Sequence, residues 1–247
     1  MNHTQYCDEL EIEIDRFSAG LANADMSARV PTCPDWSIED LTRHLGKVHR
    51  WATMLVSERA TSRISLGTTS FDGDVVDAEW LSLGGRALVE VLRSANPDDP
   101  MWAWGADQHV RFWSRRQLHE TFVHRLDLEL ATRTLSYIDP AIALDAADEF
   151  LANVKSDGDI SLRSRDGRES ELLRISATMP LGQWNVRLGE DDYEFVDSSG
   201  TPDAELSGPA GELLKVLLHR GELANSDVGV SGDETLAEYW LSRTAFQ

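Results

Sequence analysis

Apolar residues recur at helical spacing through the first part of the chain. Cys7, Leu10, Ile14 and Phe17 lie three or four residues apart, which predicts an amphipathic helix over about residues 4–23. Two prolines prevent residues 25–36 from continuing that helix. Apolar stripes with the same spacing predict four more helices. One begins after Ser37, and the other three cover about residues 74–95, 111–131 and 140–154.

The second helix has the clearest start signal. Ser37 is its expected N-cap and Asp40 stands at the third helical position, which is a variant of the capping box. Trp36 and Leu41 have the spacing of a hydrophobic staple across this start. Two histidines, at positions 44 and 49, flank the apolar stripe of the helix on opposite sides, and periodicity alone does not choose between them.

The pattern changes after Lys155. A polar stretch at residues 156–159 reads as a linker, and short β-rich runs separated by turn residues follow it. These runs predict strands at 160–164, 171–179, 184–189, 193–197 and 204–208, with helices at 208–220 and 233–243. We therefore predict an α+β protein, with a helical bundle over residues 1–157 and a small α+β domain with an antiparallel sheet over residues 158–247.

The composition of the chain indicates which classes of partner suit it poorly and in which compartment we expect it. A hydrophobic share of 41% with eight tryptophans indicates a folded globule, and the net charge of −20 makes nucleic acid and anionic membrane poor partners. No apolar run reaches the roughly 18 residues that span a bilayer, and the N-terminal residues lack the pattern of a signal peptide. We expect a cytoplasmic protein. The two cysteines form no CxxC pair and predict neither a disulfide framework nor a zinc knuckle.

The helix at 111–131 carries the candidate chemistry. Glu120 and His124 are four residues apart and project from one helix face, as two ligands of a metal ion would. A third ligand from His44 or His49 would complete a two-nitrogen, one-oxygen set that suits Zn²⁺ or another first-row divalent ion. Asp127 could accept a hydrogen bond from the other imidazole nitrogen of His124. His119 precedes His124 by five residues, so the HExxH pattern of zinc proteases is absent.

Two simpler interpretations stand beside this hypothesis. Arg116, Glu120, His124 and Asp127 could form a solvated helix face laced by salt bridges. Arg220, at the end of an apolar helix, could interact with the helix dipole, or it could bind a substrate carboxylate in a bidentate manner.

Three stretches of the chain together resemble a known family. VPTCPDWSIEDLTRHLGKVHRWA (30–52), RFWSRRQLHETFVHRLDLELA (111–131) and SGPAGELLKVLLHRGE (207–222) are similar to the mycothiol-dependent maleylpyruvate isomerases of actinobacteria. That family belongs to the DinB-like helical bundles, so the resemblance implies a DinB-like four-helix metal-binding bundle followed by a small α+β domain.

The resemblance also implies roles for particular residues. The family binds its metal through the histidine of W-[ST]-x-x-D-L-x-x-H-L and through the glutamate and histidine of H-E-x-x-x-H-R-x-D. These positions correspond to His44, Glu120 and His124. An arginine of the C-terminal domain is important in the isomerase, and Arg220 is the matching position.

The implied function is that of a divalent-metal enzyme, with Zn²⁺ as the expected metal and mycothiol as the thiol cofactor. A Lewis-acidic ion lowers the pKa of a bound thiol and yields a nucleophilic thiolate. Such an enzyme would act as an isomerase or an S-transferase on a small electrophilic substrate, with Arg220 binding a substrate carboxylate. The alternatives are a metal-dependent hydrolase without a thiol cofactor and a non-catalytic, metal-binding regulatory module.

Overall fold

The computed structural model describes residues 1–68, 75–134, 137–154, 162–165, 167–197 and 200–244. The chain divides into two compact units, Met1–Tyr137 and Ile138–Gln247. Among the described residues, no helix combines the length and the apolar character that crossing a membrane requires.

Four helices build the first unit. They are α1 (His3–Leu21), α2 (Ile38–Glu58), α3 (Ala78–Ser94) and α4 (Val110–Thr132). Helices α1 and α2 each pack against both α3 and α4, as in a four-helix bundle. The predicted helical bundle is confirmed.

The start of α2 has the predicted capping box. The side chain of Ser37 accepts a hydrogen bond from the Asp40 amide at 3.1 Å, and the Asp40 carboxylate accepts one from the Ser37 amide at 2.9 Å. These two bonds satisfy backbone donors that have no partner within the helix. The hydrogen bonds from Ser37 also lower the pKa of Asp40.

A short β-hairpin precedes α2. Its strands, β1 (Arg29–Val30) and β2 (Cys33–Ser37), pair in an antiparallel manner within the segment that the sequence predicts only as a connection. Two prolines and only a few residues per strand leave no periodic signal for such a hairpin. The hairpin places Thr32 and Trp36 next to the start of α2.

The second unit is α+β, as predicted. Its helices are α5 (Pro140–Val154), α6 (Ala210–Leu217) and α7 (Glu234–Arg243). Its strands are β3 (Glu171–Thr178), β4 (Leu181–Leu188), β5 (Tyr193–Phe195), β6 (Ala204–Gly208) and β7 (Gly229–Gly232).

The sheet is mixed rather than wholly antiparallel. Its strand order is β5-β4-β3-β6-β7, and β3 pairs with β6 in parallel while the other pairs are antiparallel. Apolar alternation predicts that a segment is a strand but not which edge it joins, so the direction of this pairing was not predictable. Of the strand predicted at 160–164, residues 160–161 lie outside the described residues, and residues 162–164 form no strand.

Helix α5 belongs to the second unit, whereas the predicted boundary at 157/158 placed it in the first. Helix α5 packs against α6, and Asp148 on α5 accepts a hydrogen bond from Nε1 of Trp184 on β4 at 2.9 Å. An amphipathic pattern shows that a helix has a buried face but not which partner covers it. The boundary between the units therefore precedes α5 instead of following it.

Candidate metal centre

Three potential metal ligands converge within the first unit. His44 on α2 and Glu120 and His124 on α4 place one ligand atom each within 4.8 Å of one another. Oε1 of Glu120 lies 3.3 Å from Nε2 of His44 and 3.2 Å from Nε2 of His124. The two imidazole rings are 5.0 Å apart and nearly perpendicular, at 80°.

Helix geometry accounts for this convergence. Glu120 and His124 are separated by four residues of α4, so their side chains stand one turn apart on the same face. Helix α2 packs against α4 and brings His44 opposite that face. The sequence predicted the pair on α4 from its spacing, whereas the packing of two helices supplies the third member.

His49, the alternative to His44, and His119 lie outside this cluster. His49 is fully buried, and its Nε2 lies 2.9 Å from Oγ1 of Thr121. Because the Thr121 hydroxyl donates to the carbonyl of Gln117, it accepts the Nε2 proton of His49. Burial lowers the pKa of His49 to about 3, so this imidazole is neutral. His119 is buried with its ring edge-on to Tyr6, at 6.4 Å between the ring centroids.

Asp127 fixes the orientation of the His124 ring. Its Oδ2 lies 2.9 Å from Nδ1 of His124, and its Oδ1 accepts a hydrogen bond from the Thr32 hydroxyl at 2.6 Å. A proton held on Nδ1 by this carboxylate leaves Nε2 as the ligand atom of His124. Thr32 was not among the predicted site residues, because a threonine in a proline-containing loop carries no signal of its own.

The charges of the cluster are strongly coupled. Burial alone would lower the pKa of His124, but hydrogen bonds to Asp127 and Glu120 outweigh it and raise that pKa to about 9. Burial likewise opposes ionisation of Glu120, but the charge of Arg116 and the hydrogen bonds to His124 and His44 together outweigh it and hold the pKa of Glu120 well below its usual value. Glu120 is therefore a carboxylate, the form that binds a metal ion.

The polar face of α4 is not a solvated one. The side chains of Arg116, Glu120 and His124 are 25%, 16% and 11% exposed, and that of Asp127 is fully buried. The alternative of an exposed, salt-bridged helix surface is therefore wrong for this face. Burying polar side chains costs free energy unless each has a hydrogen-bonding or ionic partner, and these side chains have such partners.

Trp36 forms an aromatic wall beside the histidines. Its ring centroid lies 4.8 Å from that of His44 and 6.4 Å from that of His124. The sequence predicted Trp36 only as part of a hydrophobic staple. Its position in β2 is what directs the indole toward the two imidazoles.

The donor set fits a divalent transition metal. Two imidazole nitrogens and one carboxylate oxygen are the ligands of many catalytic zinc centres, in which the remaining positions accept solvent or substrate. The buried carboxylate behind His124 is the usual partner of a metal-bound histidine. The three ligand atoms also lie close enough together to share one ion.

Arg220 lies in the second unit, just after α6. Its Nη1 donates a hydrogen bond to the carbonyl of Leu218 at 2.8 Å, and Leu218 is the C-cap of α6. This contact matches the interpretation of Arg220 as a partner for the helix C-terminus. Its contact with a substrate carboxylate stays a prediction.

Comparison with known proteins places the chain in a family. Residues 7–129 match the family model described as the mycothiol maleylpyruvate isomerase N-terminal domain. No curated protein sequence matches the chain significantly.

Two solved structures have a similar fold. One, a mycothiol-dependent maleylpyruvate isomerase, has a TM-score of 0.64 at 14% identity, over 94% of this chain and 93% of that chain. A histidine-to-alanine mutant of mycothiol-dependent maleylpyruvate isomerase has a TM-score of 0.63 at 13% identity, over the same shares of the two chains. The fold that the resemblance implied is confirmed, and residues 7–129 belong to the family of the mycothiol maleylpyruvate isomerase N-terminal domain.

Proposed function

We propose that this chain is a divalent-metal-dependent enzyme that uses mycothiol as its thiol cofactor. It acts as an isomerase or an S-transferase on a small electrophilic substrate. The observation that carries the proposal is the convergence of His44, Glu120 and His124, backed by Asp127, inside a bundle of this family. The structural neighbours described as mycothiol-dependent maleylpyruvate isomerases support the thiol cofactor.

The chemistry of the donor set favours Zn²⁺. Imidazole and carboxylate ligands suit that ion, and three protein ligands are typical of catalytic rather than structural zinc. The bound ion supplies Lewis acidity, which lowers the pKa of a coordinated thiol so that a thiolate forms at neutral pH.

In this proposal the residues around the three ligands orient them, shield them from water and bind the substrate. Asp127 holds the proton on Nδ1 of His124, and Thr32 holds Asp127 in place. Trp36 shields the two imidazoles on one side, which strengthens electrostatic interactions by excluding water. In this proposal Arg220 orients a substrate carboxylate.

The proposed setting is the cytoplasm, with a small electrophile and a low-molecular-weight thiol as partners. The net charge of −20 speaks against nucleic acid and anionic membrane as partners.

Metal content of purified variants tests the centre directly. We expect about one divalent ion per chain in the wild type, measured by inductively coupled plasma mass spectrometry, and loss of that ion in His44→Ala, Glu120→Ala and His124→Ala. The matched control is His109→Gln, because His109 is a partly exposed histidine that pairs with Asp107 and is not among the three convergent ligands. Unchanged metal content in the three ligand variants would contradict the metal centre.

Dependence on a thiol separates the proposed enzyme from its alternatives. We expect turnover of maleylpyruvate or a related electrophile only when mycothiol is added to the metal-loaded protein. Activity without any thiol would instead indicate a metal-dependent hydrolase. A metal-loaded protein inactive toward a panel of electrophiles and esters would indicate a binding or regulatory module.

A further inference from the structure

The two oxygens of Glu120 have different partners. Oε1 faces both histidines, at 3.3 Å from Nε2 of His44 and 3.2 Å from Nε2 of His124. Oε2 instead forms an ion pair with Nη2 of Arg116. Arg116 therefore occupies the carboxylate oxygen that the histidines do not share.

The spacing along α4 produces this division. Arg116, Glu120 and His124 follow one another at intervals of four residues, so they form a single row on the helix surface. The guanidinium lies one turn before the carboxylate, and the imidazole lies one turn after it. Each neighbour in the row therefore approaches the carboxylate from its own side.

The ring of Trp104 lies beside the guanidinium of Arg116. Cζ of Arg116 lies 5.6 Å from the centroid of the Trp104 ring, within the range of a cation–π contact. Trp104 packs edge-on against Phe112, at 5.3 Å and 88°, and Phe112 is four residues before Arg116 in the same row. The Arg116 side chain is only 25% exposed, so its position is set by packing as well as by charge.

The loop that carries Trp104 is itself fixed. Nε2 of Gln108 donates hydrogen bonds to the carbonyls of Ala103 and Gly105, each at 2.6 Å, on either side of the tryptophan. The Ala103 amide in turn donates to Oε1 of Gln108 at 3.1 Å. The Gln108 side chain therefore holds the backbone on both sides of the indole, and Trp113 on α4 also donates a hydrogen bond to the Trp102 carbonyl of this loop at 3.0 Å.

We propose that Arg116 is a positioning residue of the metal centre, which binds Oε2 of Glu120 and so keeps Glu120 a monodentate ligand through Oε1. This inference rests on the proposed metal-dependent function. A monodentate Glu120 gives the ion three protein donor atoms and leaves positions open for thiol and substrate. A bidentate Glu120 would take one of those positions.

Cobalt substitution reports the coordination number. Four-coordinate Co²⁺ absorbs visible light much more strongly than five- or six-coordinate Co²⁺. In Arg116→Met, Oε2 loses its partner and turns to the ion, so we expect a loss of visible band intensity relative to the wild-type Co²⁺ protein. In Arg116→Lys, the ammonium keeps the contact with Oε2 and we expect the wild-type bands.

Two further measurements separate positioning from charge and from stability. Arg43→Met removes the same charge next to His44, from an arginine that pairs with Glu39 at 2.8 Å, and we expect it to keep the wild-type spectrum. If Arg116 only stabilised the fold, replacing it would lower the melting temperature of the protein without changing the Co²⁺ bands. If Arg116→Met fails to fold by circular dichroism, Arg116→Ala gives the same readout, because alanine also leaves Oε2 without a donor.

The outcomes distinguish this inference from the function on which it rests. A wild-type protein that binds no Co²⁺ or Zn²⁺ overturns the proposed function, and with it the role of Arg116. A wild-type protein that binds the ion, with an unchanged spectrum in Arg116→Met, overturns the positioning role alone. Reduced band intensity in Arg116→Met together with wild-type bands in Arg116→Lys supports it.

Discussion

Nδ1 of His124 lies 2.9 Å from Oδ2 of Asp127, which stands three residues further along α4. Asp127 is fully buried, and its other oxygen accepts a hydrogen bond from Thr32 on the hairpin before α2. The position of the carboxylate is therefore set from two sides. The orientation of the His124 ring therefore depends on a tertiary contact, the hydrogen bond from Thr32 to Asp127.

Removing Asp127 should weaken metal binding without removing a ligand. Partners of this kind typically contribute about 10–100-fold in metal affinity, and we expect a loss of that size in Asp127→Ala. Competition with a chromophoric chelator at fixed pH measures it. Thr32→Val should give a smaller loss in the same direction, and Thr32→Ser should keep the wild-type affinity.

The control for Asp127 is an acidic residue without such a contact. Glu39→Ala removes a half-exposed carboxylate on α2 that pairs with Arg43, and it should leave the affinity unchanged. Equal affinities in the wild type and in Asp127→Ala would show that the hydrogen bond to His124 does not support the ligand.

Replacing Arg125 should destabilise the first unit strongly. Its Nε binds Glu13 on α1, and both side chains are almost fully buried. Breaking a buried ion pair leaves an uncompensated charge, which lowers the free energy of unfolding by about 3–5 kcal/mol. Because Arg16 still pairs with Glu13 after the change, we expect the loss in Arg125→Met to lie near the lower end of that range. Urea denaturation measures the loss.

An exposed ion pair between the same unit's helices provides the comparison. Arg93 binds Asp8 and Glu11, and all three side chains are 40% exposed or more. Because exposed pairs contribute at most about 1 kcal/mol, Arg93→Met should cost far less than Arg125→Met. Similar losses in the two variants would contradict a special cost for the buried pair.

Gly46 on α2 lies against the ring of Trp80 on α3. A Cβ at this position would lie 2.1 Å from the ring of Trp80 on α3. Alanine is intrinsically better in a helix than glycine by about 1 kcal/mol, but overpacking costs about 1–3 kcal/mol, so we expect Gly46→Ala to lower the melting temperature.

A double mutant tests the cause of that loss. In Trp80→Leu the space beside Gly46 opens, so Gly46→Ala in that background should be neutral or stabilising by its helix propensity. The same destabilisation in both backgrounds would show that the indole is not the obstacle.

The second unit should lose stability in acid through the ion cluster around Arg165. This guanidinium binds Asp233 at 2.6 Å and Glu171 at 2.9 Å. Its hydrogen bond lowers the pKa of Asp233, and its bonds to Glu171 outweigh burial and lower the pKa of that residue too. Folded pKa values below the unfolded values of about 4 stabilise the fold above that pH, and the contribution is lost as the pH falls through the folded values.

Arg165→Met should flatten this acid dependence. Without the guanidinium, the folded pKa values of Asp233 and Glu171 rise toward or above the unfolded ones, although Arg168 keeps contacts with both at 3.3 and 3.6 Å. We expect the melting temperature of the wild type to fall more steeply than that of the variant between about pH 5 and 3. Arg187→Met, which breaks the exposed pair with Glu194, is the control, and equal slopes in all three proteins would contradict the assignment.

Local signals were sufficient for the helices, for the strands β3 to β6 and for part of the centre, but not for the hairpin before α2 or for β7. The capping box of Ser37 and Asp40 fixed the start of α2, because caps are formed between residues three positions apart. The spacing of Glu120 and His124 fixed their common face for the same reason. The choice of His44 over His49 came from resemblance and not from periodicity, since both histidines flank the same stripe.

The sequence by itself determined the helices, the strands β3 to β6 and the shared face of Glu120 and His124, because these features depend on neighbours within one turn or one strand. Tertiary structure alone decided that α5 joins the second unit and that β6 pairs in parallel with β3. It also decided that Thr32 and Trp36 lie beside the cluster of His44, Glu120 and His124. Contacts between distant segments depend on which faces pack together, and the sequence pattern specifies that a face is buried but not its partner.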